Sequence, residues 1–278
     1  MNTFTHPRRR RNLAALVIAV TVAVGIAAGA VATADGSAAA EAQKPTIVLV
    51  HGAWADSSGW NESIEKLQRK GYTALAVATP LRSLHGDVAY LRSVLASISG
   101  PIVLVGHSYG GMVLTNAATG NANVEALVYI AAFAPDKGER QIELILKNEG
   151  SQISPATLTV RPYPGGGLDS YITPSLFRQI FAHDVSEKTA AVMAATQRPF
   201  ELAILEEVSG EPAWKKIPSW YLVTTEDRAI PPTTQRFMAE RAGATIAEVR
   251  SSHVPMNSRP SAVTELILDA AKSVSSVH

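Results

Sequence analysis

Ile102-Val103-Leu104-Val105-Gly106-His107-Ser108-Tyr109-Gly110-Gly111 is an apolar run that breaks into Gly-x-Ser-x-Gly and continues as a helical pattern. A buried strand over Pro101 to Val105 must turn sharply here into a helix over about Tyr109 to Thr119, with Ser108 at the apex. A serine at such a turn sits in a strained conformation in which a side chain two positions away on either side would clash. Gly106 and Gly110 remove those side chains. The start of the helix then faces the serine, so free backbone N–H groups point to where negative charge would develop. The strand before the motif and the helix after it separate a nucleophile turn from a chance match.

The same alternation extends in both directions. Strands are expected at Thr46 to Val50, Thr73 to Val77, Val124 to Ile130, Ser219 to Val223 and Thr245 to Val249. Helices are expected at Ser58 to Lys70, Asp87 to Ile98, Pro232 to Arg241 and Pro260 to Lys272. Short apolar strands alternating with amphipathic helices mean an α/β fold: a mainly parallel sheet of about six strands, covered on both faces. Residues 44–135 and 217–278 form this core. The segment 136–216 interrupts the alternation and is expected to be a helical cap over the site, with helices near Pro174 to Phe181 and Glu187 to Thr196. It also holds a Pro/Gly turn cluster at Arg161 to Gly167, which no Lys-Ser/Thr follows, so it is not a phosphate loop.

Residues 1–40 stand apart from the fold. Arg8 to Arg11 form a basic start, Leu13 to Val31 an apolar stretch, and A-x-A-type sites end at Ala32, Ala34 or Ala40. This is the pattern of an export signal, loosely of twin-arginine type, and it implies a secreted or periplasmic protein. An uncleaved membrane anchor is the alternative, weakened by the Ala/Gly/Val-rich composition. Cleavage after Ala40 removes four Arg and one Asp and takes the formal charge from +1 to −2. So small a charge gives no case for nucleic acid or anionic lipid, and a cleaved signal leaves no stable membrane association. The 278 residues are 46% apolar and contain no cysteine, which excludes disulfides, thiolate catalysis and Cys-ligated zinc.

A serine hydroxyl needs a base to take its proton and an acid to hold that base. His253 follows the last expected strand and precedes the last helix, where the chain order serine, acid, histidine places the base. The strand through Val223 ends in Thr225-Glu226-Asp227-Arg228, and carboxylates at the C-terminal end of such a strand lie on the functional face of an open α/β sheet. Asp227 is the expected acid, with Glu226 its neighbour and Asp136 the outsider; Arg228 would neutralise a neighbour. The backbone N–H groups of Ala53 and Tyr109 are the expected oxyanion hole. His51 is expected to brace the loop after the first strand, and His107 to point away from the serine. Trp54, Phe133, Phe177 and Phe181 are the expected substrate-binding residues, with Leu144, Leu176 and Met193 as further lining. His183-Asp184 fits a helix junction better than a substrate contact. No metal or organic cofactor is needed, and no ligand pattern encodes one.

Together, Thr46 to Trp60, Val105 to Met112, Tyr129 to Asp136, Thr225-Glu226-Asp227 and His253 resemble the α/β-hydrolase branch that holds plant methylesterases, hydroxynitrile lyases and bacterial esterase-like relatives. The resemblance implies Ser108, Asp227 and His253 as the triad, with Ala53 and Tyr109 at the oxyanion hole. The lyases of this branch carry a threonine where Gly52 stands and a lysine where Val254 stands, so the esterase pattern is kept. Related dehalogenases and epoxide hydrolases use an aspartate at the turn. The expected activity is cleavage of a small, largely apolar carboxylic ester through an acyl-enzyme. A perhydrolase or amidase on the same triad, or a slow-turnover ligand-binding protein, are the alternatives.

Overall fold

A computed structural model describes residues 43–275; the export-signal segment lies outside them. The strands of the core are β1 (Thr46–Val50), β2 (Ala74–Val77), β3 (Ile102–His107) and β4 (Val124–Ile130). Within the insertion lie β5 (Leu158–Pro162), β6 (Leu168–Ile172) and β7 (Phe200–Glu201), and β8 (Ser219–Thr224) and β9 (Thr245–Val249) complete the core. The core strands form one six-stranded sheet in the order β2-β1-β3-β4-β8-β9. Every pairing in it is parallel.

The β-branched and leucine residues of β1 and β3 explain their central places. Ile47, Val48, Leu49, Val50 and Ile102 through Val105 are fully buried, each side chain stabilising the fold by roughly 2 kcal/mol. Edge strand β9 alternates exposed and half-buried residues instead.

The helices are α1 (Asn61–Arg69), α2 (Leu84–Ala96), α3 (Tyr109–Ala117), α4 (Gln141–Ile145), α5 (Pro174–Phe181), α6 (Glu187–Ala195), α7 (Pro232–Arg241), α8 (Pro255–Ser258) and α9 (Pro260–Ser275). They cover the sheet in groups, α1 packing with α9 and α2 with α3. Ser83 caps α2 by accepting the Gly86 N–H, which starts that helix before the expected Asp87. Among the described residues, no helix is long and apolar enough to cross a membrane.

The insertion between β4 and β8 carries α5 and α6 where the sequence places helices, and it adds a three-stranded antiparallel sheet, β5-β6-β7. The Pro/Gly cluster is the hairpin turn between β5 and β6, with Gly165 and Gly166 at φ +107° and +90°. Leu158-Thr159-Val160-Arg161 does alternate apolar and polar residues, but the run is short and ends at Pro162, and Leu168-Asp169-Ser170-Tyr171-Ile172 breaks the alternation, so periodicity alone does not mark the hairpin.

Candidate active site

The turn after β3 is strained as its sequence requires. Ser108 has φ +52° and ψ −123°, a region that residues with side chains rarely occupy. The close approach of the neighbouring backbone explains the glycines. A Cβ on Gly110 would lie 2.5 Å from the Val50 carbonyl oxygen, and one on Gly106 would lie 2.7 Å from the Gly110 carbonyl carbon. The Ser108 carbonyl accepts from the N–H groups of Gly111 and Phe133, both at 3.0 Å, which pins the turn to the end of β4.

Three stretches of chain converge on Ser108. Its Oγ lies 2.9 Å from His253 Nε2, and His253 Nδ1 lies 2.7 Å from Asp227 Oδ2. His253 and Asp227 are buried, and Ser108 is only 5% exposed. Asp227 is thoroughly held: Oδ1 accepts from the N–H groups of Ala229 (2.8 Å) and Ile230 (3.0 Å), and Oδ2 from Thr224 Oγ1 (2.9 Å) and Gln235 Nε2 (2.8 Å). The other carboxylates considered are engaged elsewhere. Glu226 pairs with Arg250 at 2.7 Å, and Asp136 pairs with Lys215 at 2.7 Å, a hydrogen bond that holds its carboxyl below the usual range. Arg228 neutralises neither; it donates to the Gln179 carbonyl of α5 at 2.9 Å.

The loop after β1 approaches from the other side. The backbone N–H groups of Ala53 and Tyr109 meet no acceptor among the described residues. Tyr109 opens α3, so its N–H also lies at the positive end of the helix dipole. Its phenol donates to Asp87 Oδ2 at 2.7 Å, while Asp87 Oδ1 accepts the Leu81 N–H at 2.9 Å. Burial pushes the Asp87 carboxyl up, and burial with the neighbouring carboxyl pushes the Tyr109 phenol well up. Asp87, a helix residue in the sequence pattern, is thus an anchor of the serine turn. No local signal distinguishes it from a solvated first-turn acid.

The two other nearby imidazoles are structural props. His51 Nε2 accepts the Thr79 N–H at 3.1 Å and its Nδ1 donates to the Gly52 carbonyl at 2.9 Å. Burial lowers its pKa to about 4, so the ring is neutral. His107 makes no hydrogen bond to Ser108; it donates from Nε2 to the His253 carbonyl at 2.8 Å. Burial, with His253 beside it, holds His107 well below its usual range.

A narrow cleft of about 60 Å³ is lined by His107 and Val254, the chain neighbours of Ser108 and His253, with Trp54, Trp60, Phe177, Phe181 and Met193 and the polar residues Asp56 and Asn257; the triad side chains themselves do not line it. Phe181 of α5 sets its ring 4.6 Å from that of His253, so the insertion overlies the triad. Trp54, with φ +58°, packs edge-on to Phe181 and Phe200 and donates from Nε1 to Ser170 of β6 at 3.2 Å. Of the expected substrate-binding residues, Trp54, Phe177 and Phe181 line the cleft. Phe133 does not: its ring is buried in the core, and its contribution is the N–H that holds Ser108. Met193 lines the cleft and Leu144 and Leu176 do not. Among the described residues no cluster of His, Cys, Asp and Glu forms a metal site.

The chain resembles several characterised proteins. It is 28% identical over 250 residues to salicylic acid-binding protein 2 of Nicotiana tabacum, covering 81% of this chain and 96% of that one. Against the pyrethroid hydrolase of Sphingobium wenxiniae it is 27% identical over 253 residues, covering 81% and 87%. The crystal structure of polyneuridine aldehyde esterase superposes with a TM-score of 0.71 at 22% identity, covering 82% of this chain and 99% of that one, a likeness of fold. The family model described as the alpha/beta hydrolase family matches residues 47–266. That match starts in β1, ends in α9 and takes in every loop that meets Ser108, so the chain belongs to the alpha/beta hydrolase family and is a hydrolase.

Proposed function

We propose that the protein is an exported serine esterase that cleaves a small, neutral, largely apolar carboxylic ester. The observation that carries this is the unbroken hydrogen-bonded series Ser108 Oγ, His253 Nε2, His253 Nδ1, Asp227 Oδ2, set beside two unengaged N–H groups. His253, held in one tautomer by Asp227, removes the proton from Ser108 as Oγ attacks the ester carbonyl carbon. The oxyanion that forms is stabilised by the Ala53 and Tyr109 N–H groups, the latter aided by the dipole of α3. His253 then gives its proton to the leaving alkoxide. Water, activated by the same imidazole, attacks the acyl-enzyme, and Ser108 leaves with the returned proton.

Substrate character is supported by the cleft. Its lining combines Trp54, Trp60, Phe177, Phe181, Met193, Val254 and Met256 with the polar residues His51, Asp56, Ser58, His107, Thr196 and Asn257. It has no lysine or arginine, so a neutral, largely apolar ester fits it better than an anion, which would meet Asp56 and no cation. The residue after His253 is Val254, which cannot supply the cation of the lyase pattern. Relatives named for esterase and hydrolase activity, including the pyrethroid hydrolase, support ester cleavage. Export rests on the 1–40 segment, and N-terminal sequencing of protein recovered outside the cytoplasm is expected to begin after Ala32, Ala34 or Ala40.

The test is fluorophosphonate labelling with peptide mapping, alongside a chain-length series of p-nitrophenyl esters. Labelling is expected at Ser108, with short esters turned over fastest. Ser108→Ala should lower kcat by at least about 1,000-fold while leaving thermal unfolding unchanged. Wild-type turnover in that variant would remove the triad. Labelling without turnover would instead favour an amidase, a perhydrolase or a slow ligand-binding protein, each separated by amide, peroxide or equilibrium-binding assays.

A further inference from the structure

The loops that carry His253 and Asp227 are both tied to one turn of the insertion. That turn, between α5 and α6, holds His183 and Asp184, both partly buried. His183 donates from Nε2 to the Glu226 carbonyl at 3.0 Å, one residue before Asp227. Asp184 Oδ2 accepts the Ser252 N–H at 3.0 Å, one residue before His253. Arg228, one residue after Asp227, adds its bond to the Gln179 carbonyl on α5.

Asp184 is suited to this as an ionised acceptor. Burial pushes its carboxyl up, but the Ser252 N–H on Oδ2 and the nearby serine hydroxyls more than offset this and hold it below the usual carboxylate range, while Oδ1 is buried with no hydrogen-bond partner. Ser252 is fully buried, so without Asp184 its N–H would be left unpaired inside the protein or the loop would move to find water. The His107 bond to the His253 carbonyl holds the loop on the other side of the same residue. The imidazole is therefore suspended between a core histidine and an aspartate borne on the insertion.

We propose that Asp184 is a positioning residue for His253, which sets the imidazole in register with both Ser108 and Asp227 only when the insertion is seated. This rests on the serine-triad reading. Displacing a catalytic group by about 1 Å can lower a rate by about 100-fold, so loss of this one acceptor is expected to act on turnover. Its signature differs from that of a cleft residue, because Asp184 does not line the cleft.

The test compares wild type, Asp184→Asn, Asp184→Ala and Ser108→Ala of the mature protein on p-nitrophenyl butyrate. It adds the fluorophosphonate labelling rate and the downfield Nδ1 proton resonance of His253. Asp184→Ala is expected to lower kcat and the labelling rate by about 10- to 100-fold, to shift KM less than about threefold, and to broaden the resonance. Asp184→Asn keeps an oxygen that can accept from Ser252 and should stay within about fivefold of wild type. Wild-type kcat in Asp184→Ala, or an equal fall in both variants, overturns the proposal. Should Asp184→Ala fail to fold, Asp184→Glu replaces it: its longer side chain misplaces the acceptor, and an unchanged kcat overturns the proposal. An active Ser108→Ala would overturn the triad itself, whereas an inactive Ser108→Ala with a wild-type Asp184→Ala would overturn only the role of Asp184.

Discussion

At the scale of single residues, the chemistry depends on which polar atoms are buried together. Asp227 and Asp136 have the same side chain and opposite surroundings: one is enclosed by N–H and O–H donors and His253, the other paired at the surface with Lys215. Asp227→Asn is expected to lower kcat by about 1,000- to 10,000-fold, because an amide NH2 facing Nδ1 selects the wrong imidazole tautomer. Asp136→Asn should stay within about twofold. Steady-state kinetics of the two variants check this, and the reverse order would move the acid to the loop after β4. His51 gives a pH dependence with a defined sign. Folded, it titrates at about 4; unfolded, at about 6.5. Between those values the unfolded chain binds the extra proton, so the stability tied to neutral His51 is complete above about pH 6.5. It is lost as pH falls toward 4, by roughly 3 kcal/mol. Burial of His107 acts in the same direction. Urea midpoints at pH 7.5 and 5 should converge in His51→Gln relative to wild type, and an undiminished difference would remove this account.

At the scale of elements, the site is assembled where α3 and the loop after β1 meet with almost no side chains between them. Gly110→Ala places a methyl against the Val50 and His51 carbonyl oxygens, at 2.5 and 2.7 Å, and both belong to backbone that cannot turn aside. The expected cost is about 3 kcal/mol of stability, read as a lower denaturation midpoint, together with loss of activity as the Ala53 and Tyr109 N–H groups move apart. A variant as stable and active as wild type would show that α3 can shift outward freely. The strand–turn–helix of the turn itself was legible because its pattern is local, an apolar run, a serine flanked by glycines and a helical continuation, although the contact that demands Gly110 comes from the distant backbone of Val50 and His51. The β5-β6-β7 sheet was not: its outer strand β5 is only five residues long and mostly exposed, and β7 is two residues long and exists only because β6 is there to pair with it.

At the scale of the whole molecule, the sequence by itself determined the alternation of strands and helices and the serine turn, and it narrowed the candidate base to His253 and the candidate acid to the Glu226-Asp227 pair. Each is written in a short window: apolar periodicity, glycines flanking a serine, a carboxylate or histidine just past a strand. It also gave the apolar character of α5 that places Phe177 and Phe181 over the triad. Tertiary structure alone decided which of two adjacent carboxylates meets the imidazole, that Phe133 serves through its backbone, and that Asp87 and Asp184 steady the site. Those contacts join residues far apart in the chain. Asp184 and Ser252 are separated by 68 positions, and His107 and the His253 carbonyl by 146. A hydrogen bond of about 3 Å between such residues leaves no periodic trace in either segment. It arises only when the parallel sheet brings the ends of β3, β8 and β9 to one edge and the insertion folds down upon them.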